Sequence, residues 1–326
     1  MNDMEKKKYI KVRSTICLLI TSMIWGAAFV AQSVSMDYIG PMTFICLRSL
    51  IGTMVLFPVI TAFDSLQGRT GTKDSDDQMR DVSAGMESRR RGLTGLAESW
   101  RQPELWKAGV VCGIFLFLAN CAQQTGIQYT TAGKAGFITA FYIILVPVAG
   151  LFFHRKCSLM TWTGVFLALI GLYFLCITGD FSVEKGDALI LACAFLYTGQ
   201  IMAIDYYSRR VSAMKLSLLQ FLVGAILGGV AMFALEEPRI PAIIDAAGPI
   251  LYTGIMSTGV AYTMQIIGQK GLNPTVASLI MSLESVFSVL AGYLFLHELL
   301  SSREMLGCVI MFSAIVLAQL GDQRNS

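Results

Sequence analysis

Glu284 is the residue with the most chemistry to offer. It stands eleven residues after Asn273, inside an apolar run from Pro274 to Leu296. An ionisable group near the centre of a bilayer costs roughly 2.5–3.5 kcal/mol on insertion scales, so it faces a cavity or a partner. There it can exchange a proton or meet a substrate. Bonded to neutral neighbours, it can instead tie two helices together. Arg48 is a second such group, seven residues beyond Pro41 and so about 10 Å into its run at 1.5 Å per residue. Its guanidinium can meet an anionic group or Glu284, or snorkel outward to head groups. Lys134, at the edge of a run, reads as a snorkelling side chain, and Asp205, four residues before Arg209, as half of a local ion pair.

Neutral polar residues form stripes. Asn120, Gln124 and Gln128 recur every four residues in one run, and Thr258, Tyr262, Gln265 and Gln269 recur at four, three and four in another. Each set shares one helical face. One Gln can bridge two helices, whereas two stripes at related positions read as walls of a wet cavity. Trp25 with Gln32, Tyr197 with Gln200, and Tyr142 extend the pattern, plain packing being the alternative for the aromatics. The expected substrate-binding set is therefore Trp25, Gln32, Arg48, Asn120, Gln124, Tyr142, Tyr197, Gln200, Tyr262, Gln265 and Glu284.

Other chemistries lack parts. The two histidines, His154 and His297, sit at the ends of runs. There is no H-E-x-x-H, no midplane carboxylate pair and no G-x-x-x-x-G-K-[ST], so metal-dependent hydrolysis and nucleotide-driven pumping are not expected. None of the eight cysteines makes a C-x-x-C pair and seven lie in apolar runs, as packing residues do. No enzyme activity, cofactor or metal is expected. A channel would need a filter motif or charged rings, and neither is present.

The elements that must position these groups are membrane spans. Of the 326 residues, 55% are hydrophobic and 14% charged, with a mean hydropathy of +0.62, against about 25% charged in soluble domains. A net charge of +3 is too mild to suggest nucleic acid. Ten runs of about bilayer length appear: Ser14–Ser35, Pro41–Phe63, Ala108–Tyr129, Thr131–Phe153, Ser158–Thr178, Ala188–Tyr207, Leu216–Leu235, Gly248–Gly268, Pro274–Leu296 and Glu304–Leu320. With the amino terminus inside, inner segments carry twenty Lys and Arg and outer segments four, with Arg48 in a span making the twenty-fifth. The positive-inside rule then places both termini in the cytoplasm of a plasma-membrane protein. The insert 64–104, rich in charge and including Arg89, Arg90 and Arg91, reads as a disordered cytoplasmic loop able to touch anionic lipid.

The chain also reads as a duplication. At an offset of 142, Ala135 meets Ala277, Ala149 meets Ala291, Gly150 meets Gly292 and Tyr142 meets Glu284. At 141, Gly113 meets Gly254, Gln124 meets Gln265 and Gln128 meets Gln269. The expected layout is a tail 1–13, a first five-helix half 14–178, a second half 179–321 and a tail 322–326. Five spans is an odd number, so the second half enters the bilayer inverted, an arrangement that builds a midplane site between two halves that rock. The fold class expected is an all-α membrane protein of ten transmembrane helices in two inverted five-helix repeats.

Several stretches resemble EamA-type carriers of the drug/metabolite transporter superfamily. Trp25-Gly26-Ala27-Ala28-Phe29-Val30 is similar to their first-span signature, and Arg48 after Pro41 to the arginine of their second span. TTAGKAGFITAFYIILVPVAGLFF with Pro147 resembles their fourth span. SLESVFSVLAGYLFLHELLSSREMLG, with Glu284, Gly292, Glu298 and Gly307, resembles their ninth span and the turn after it. Ser285 stands where many relatives have proline, so a weaker kink is expected there. The resemblance implies a secondary transporter for a small-molecule substrate, often an amino acid or related compound, usually exported. Membrane lipid is a partner, and protons are the expected coupling ion through Glu284. A flippase for a lipid-linked intermediate is the alternative, and a homodimer stays open.

Overall fold

The computed structural model describes residues 3–70, 100–129, 138–153, 158–176, 185–296 and 301–324. Lys134, His154, Cys157, His297, Glu298 and most of the 64–104 insert lie outside the described residues.

A backbone that leaves water must bond to itself, and the apolar runs do so as helices. The helices are α1 (Asp3–Met36), α2 (Pro41–Thr70), α3 (Pro103–Ile127), α4 (Tyr142–Phe152), α5 (Leu159–Cys176), α6 (Lys185–Tyr207) and α7 (Ala213–Leu235). After a six-residue helix, Ile240–Asp245, come α8 (Ala247–Gln269), α9 (Pro274–Met281), α10 (Glu284–Leu296) and α11 (Ser302–Arg324). No strand occurs among the described residues. Proline opens α2, α3 and α9, where a missing N–H costs nothing. Asn273 caps α9, its side chain accepting from the Thr275 N–H at 3.0 Å.

Seven stretches are long and apolar enough to cross a bilayer: those in α1, α2, α3, α6, α7 and α8, and Pro274–Ala291. Three shorter apolar helices are Tyr142–Phe152, Leu159–Phe174 and Met305–Ala318. Each overlaps one of the ten predicted runs, and several begin three to six residues earlier. Outward-facing side chains such as Phe166, Val230, Phe233 and Leu294 are apolar and exposed, as lipid contact requires.

Two boundaries differ from expectation. The basic tail 3–13 is not separate but forms the first turns of α1, and α2 runs on to Thr70, into the expected insert. Once a helix is nucleated, each further residue adds a bond at small cost, so helices outrun the apolar run that started them.

Two of the predicted runs turn part-way, at places the residue pattern marks only weakly. The chain turns at Ala140–Phe141 before α4 and at Ser282–Leu283 before α10. The second break precedes Ser285 and needs no proline. Ser278 and Ser282 donate their hydroxyls to the Thr275 and Leu279 carbonyls at 2.8 and 2.7 Å, a back-bonding that bends helices without proline. Conversely α4 continues through Pro147, and its break lies upstream.

Close approaches fix the packing. α3 lies against α6 and α7, α8 against α1 and α2, α2 against α7, α5 against α11, α10 against α1, and α4 against α6 and α9. A Cβ on Gly126 of α3 would fall 2.5 Å from Ile190 of α6, and one on Gly268 of α8 would fall 2.7 Å from Leu18 of α1. Only glycine admits such proximity. Two large apolar clusters result, one around α4, α5, α9 and α11, the other around α2, α3, α6, α7 and α8, with a small third one at Ile39, Phe44, Ala246 and Ile250. Trp25 and Tyr197 touch both large clusters, which places them at the seam.

Candidate functional site

A cavity of about 40 Å³ opens at that seam. It has room for about three waters at 10–15 Å³ each, so the walls must part to admit anything larger. Nine of the eleven expected residues line it: Trp25, Gln32, Arg48, Tyr142, Tyr197, Gln200, Tyr262, Gln265 and Glu284. Phe29, Gln123, Ile201, Ser257 and Met281 complete the lining.

Each wall group is placed by a feature of its element. The break at Ser282–Leu283 makes Glu284 the first residue of α10, and the break at Ala140–Phe141 does the same for Tyr142 in α4. The Tyr142 hydroxyl donates to Glu284 Oε1 at 3.3 Å, joining the two broken helices at positions 142 apart. Both residues are buried.

Arg48, 3% exposed, lies within α2. Its Nη2 donates to Asn120 Oδ1 at 3.0 Å and its Nη1 to Gln32 Oε1 at 3.5 Å, and the guanidinium stands 5.6 Å from the Phe44 ring centre. It forms no ion pair among the described residues. Neutral amide oxygens hold it in place without cancelling its charge. The snorkelling alternative is therefore not adopted, since the side chain is tied inward.

An aromatic group lies between these elements. The Trp25 and Tyr262 ring centres are 4.6 Å apart, and Phe221 meets Tyr262 edge-on at 5.3 Å. The Tyr197 hydroxyl donates toward Asn120 Oδ1 at 3.0 Å and Gln123 Oε1 at 3.2 Å. Gln265 Nε2 donates to Gln200 Oε1 at 3.4 Å. The Trp25 indole N–H, Arg48 Nε, Gln200 Nε2 and Gln265 Oε1 are buried without a partner among the described residues. A wall with spare donors and acceptors is what a polar ligand needs.

Two expected residues are absent from the lining. Asn120 sits behind it, gripping Arg48 and Tyr197. Gln124 is fully buried elsewhere, with both side-chain polar atoms unpartnered among the described residues. Gln123 takes its place and also donates to Thr139 Oγ1 at 3.4 Å. A step of three from Asn120, as valid on a helix as a step of four, finds Gln123. Ser257 was missed for another reason. Residues Thr253–Ala261 of α8 wind as a π-helix, and the Tyr262 N–H bonds to the Ser257 carbonyl five residues back. The wider turn brings Ser257 rather than Thr258 to the cavity side.

These features define a multi-pass helical membrane protein whose buried polar site sits between two helical clusters, the layout of a carrier rather than an enzyme. The EamA-like transporter family model matches residues 93–177 and again 184–320, so the chain belongs to that family, within the drug/metabolite transporter superfamily. An uncharacterized transporter of Archaeoglobus fulgidus is 26% identical over 305 residues, 93% of this chain and 84% of its own. The uncharacterized transporter YoaV of Bacillus subtilis is 21% identical over 94% of this chain and 96% of its own. Protein PecM of Dickeya dadantii is 31% identical over 99 residues, 30% of this chain and 33% of its own. A solved crystal structure shares the fold at a TM-score of 0.73 and 18% identity, covering 97% of this chain and 99% of that one.

Proposed function

We propose that the protein is a secondary carrier that moves a small metabolite, an amino acid or related compound, across the plasma membrane by alternating access. Its ten spans form two inverted halves, 14–178 and 179–321, with both termini cytoplasmic, and Glu284 couples transport to protons. The observation that carries this reading is the burial of Arg48 and Glu284 in the walls of one cavity. An unneutralised guanidinium suits a carboxylate. Across the same hollow, an ionised Glu284 suits an ammonium and a protonated one releases it.

Three features support inverted halves. The family model matches twice in succession. Exchanging the first five spans for the last five maps the α3–α6 contact onto α8–α1 and α3–α7 onto α8–α2, while α2–α7 and α5–α11 map onto themselves. The close glycines Gly126 and Gly268, 142 apart, occupy matched places. A polar wall around a small hollow favours a compact metabolite over a lipid-linked intermediate.

Two experiments test the reading. In detergent, a panel of amino acids and carboxylates is screened by thermal unfolding. A true ligand at a hundred times its Kd adds about 2.7 kcal/mol of stability. Stabilisation by lipid-linked compounds alone overturns the substrate class. In proteoliposomes, Glu284→Gln is expected to abolish transport driven by a pH gradient. Unchanged gradient-driven transport excludes the coupling role.

A further inference from the structure

A second hollow, of about 630 Å³, lies between α3, α4 and α6. On α6 it takes Thr198, Gly199, Met202 and Tyr206, whereas the polar cavity takes Tyr197, Gln200 and Ile201, so one helix separates the two on opposite faces. The groove is mostly apolar, with Phe115, Ala149, Phe153 and Ala203 among its walls. Its floor is flat because a Cβ on Gly199 would fall 2.5 Å from the Phe115 ring, which lies directly on the helix backbone.

Length and charge indicate an occupant. From Thr198 to Tyr207 the groove follows α6 for nine residues, about 13.5 Å at 1.5 Å each. That is close to half of the ~30 Å hydrocarbon core, the reach of an acyl chain from one leaflet. At the Tyr207 end Asp205 lines the groove and pairs with Arg209 Nη2 at 3.2 Å. Arg210 stands 3.8 Å from the Tyr206 ring centre and pairs with Glu104 at 3.2 Å. Lys215 follows five residues after Arg210, its ammonium 5.2 Å from the Trp100 ring centre. Arg209 and Arg210 each meet their carboxylate through one nitrogen, which leaves donors of the five-donor guanidinium for a phosphate. Both side chains are about half exposed.

We propose that this groove is a binding site for an anionic phospholipid, one acyl chain lying along α6 and the phosphate meeting Arg209 and Arg210. The site is separate from the transport cavity. A resident lipid lies against both α4 and α6 on the Lys- and Arg-rich side of the membrane.

The purified full chain is tested by native mass spectrometry and by delipidation followed by titration with dioleoyl phosphatidylglycerol or dioleoyl phosphatidylcholine. Wild type is expected to retain phosphatidylglycerol about fivefold more tightly, the worth of one Arg near a membrane surface. Ala203→Trp fills the groove and is expected to lose retention of both lipids. Arg209→Gln with Arg210→Gln keeps the groove and is expected to bind the two lipids equally. Should Ala203→Trp fail to fold, Ala149→Leu serves in its place. Equal retention of both lipids by wild type overturns the proposal, as does undiminished phosphatidylglycerol binding by a folded groove-filling variant. These readouts need no transport, so their failure is distinct from failure of the carrier reading.

Discussion

Replacing Arg48 by Met separates the functional part of the site from the structural part. In the native protein the guanidinium makes one good hydrogen bond, to Asn120 at 3.0 Å, and one long one, to Gln32 at 3.5 Å. Losing a charge-assisted bond costs about 1.5–3 kcal/mol. Removing a charge from membrane depth returns roughly 2.5–3.5 kcal/mol on insertion scales. Asn120 Oδ1 is not orphaned by the change, because the Tyr197 hydroxyl still reaches it at 3.0 Å. The two effects nearly cancel, and Arg48→Met is expected to unfold within about 4 °C of wild type, the shift that about 1 kcal/mol makes in a protein of more than 150 residues. Ligand affinity behaves differently. A bound carboxylate loses the one cation that lines the cavity among the described residues, so affinity is expected to fall about 10- to 150-fold. Arg48→Lys keeps the charge but not the planar fork that reaches Asn120, and is expected to fall between. Thermal unfolding in detergent, with and without the stabilising ligand found by screening, reads both quantities on one sample. A large loss of stability with Arg48→Met would make Arg48 a structural strut, and unchanged ligand affinity would remove it from the site.

Two other perturbations bear on the frame that holds the site. Gly126→Ala and Gly268→Ala each push a Cβ into a neighbouring helix, at 2.5 and 2.7 Å, and each is expected to cost about 1–3 kcal/mol by overpacking. Similar losses in denaturant titration are expected of matched positions, and a loss confined to one would argue against related halves. Glu236 accepts from the Met42 and Thr43 N–H groups at 2.7 and 2.8 Å and from the Thr43 hydroxyl at 2.6 Å, so it both caps α2 and complements its dipole. Glu236→Gln is expected to lower stability by about 1–2 kcal/mol and to weaken ligand binding through Arg48, which α2 carries. Unchanged values on both counts would show that the cap does not position α2.

What the sequence determined by itself is the inventory. Lipid leaves a backbone no partner but itself, so apolar runs of bilayer length had to be helices. Buried Glu284 and Arg48 were conspicuous because charge at that depth is rare. Spacing could also say which residues share a face, and Trp25, Tyr197, Tyr262 and Gln265, which it grouped, line the cavity. The tertiary structure decided the phase and the partners. The π-helical turn in α8 brought Ser257 forward, and a step of three in α3 chose Gln123 over Gln124. The breaks at 140–141 and 282–283 made Tyr142 and Glu284 the first residues of their helices and let them meet. The groove behind α6 left no trace in any single run. Side-chain period follows from local geometry and is written in the chain, whereas a hollow is the space between helices and exists only once their close approaches are set.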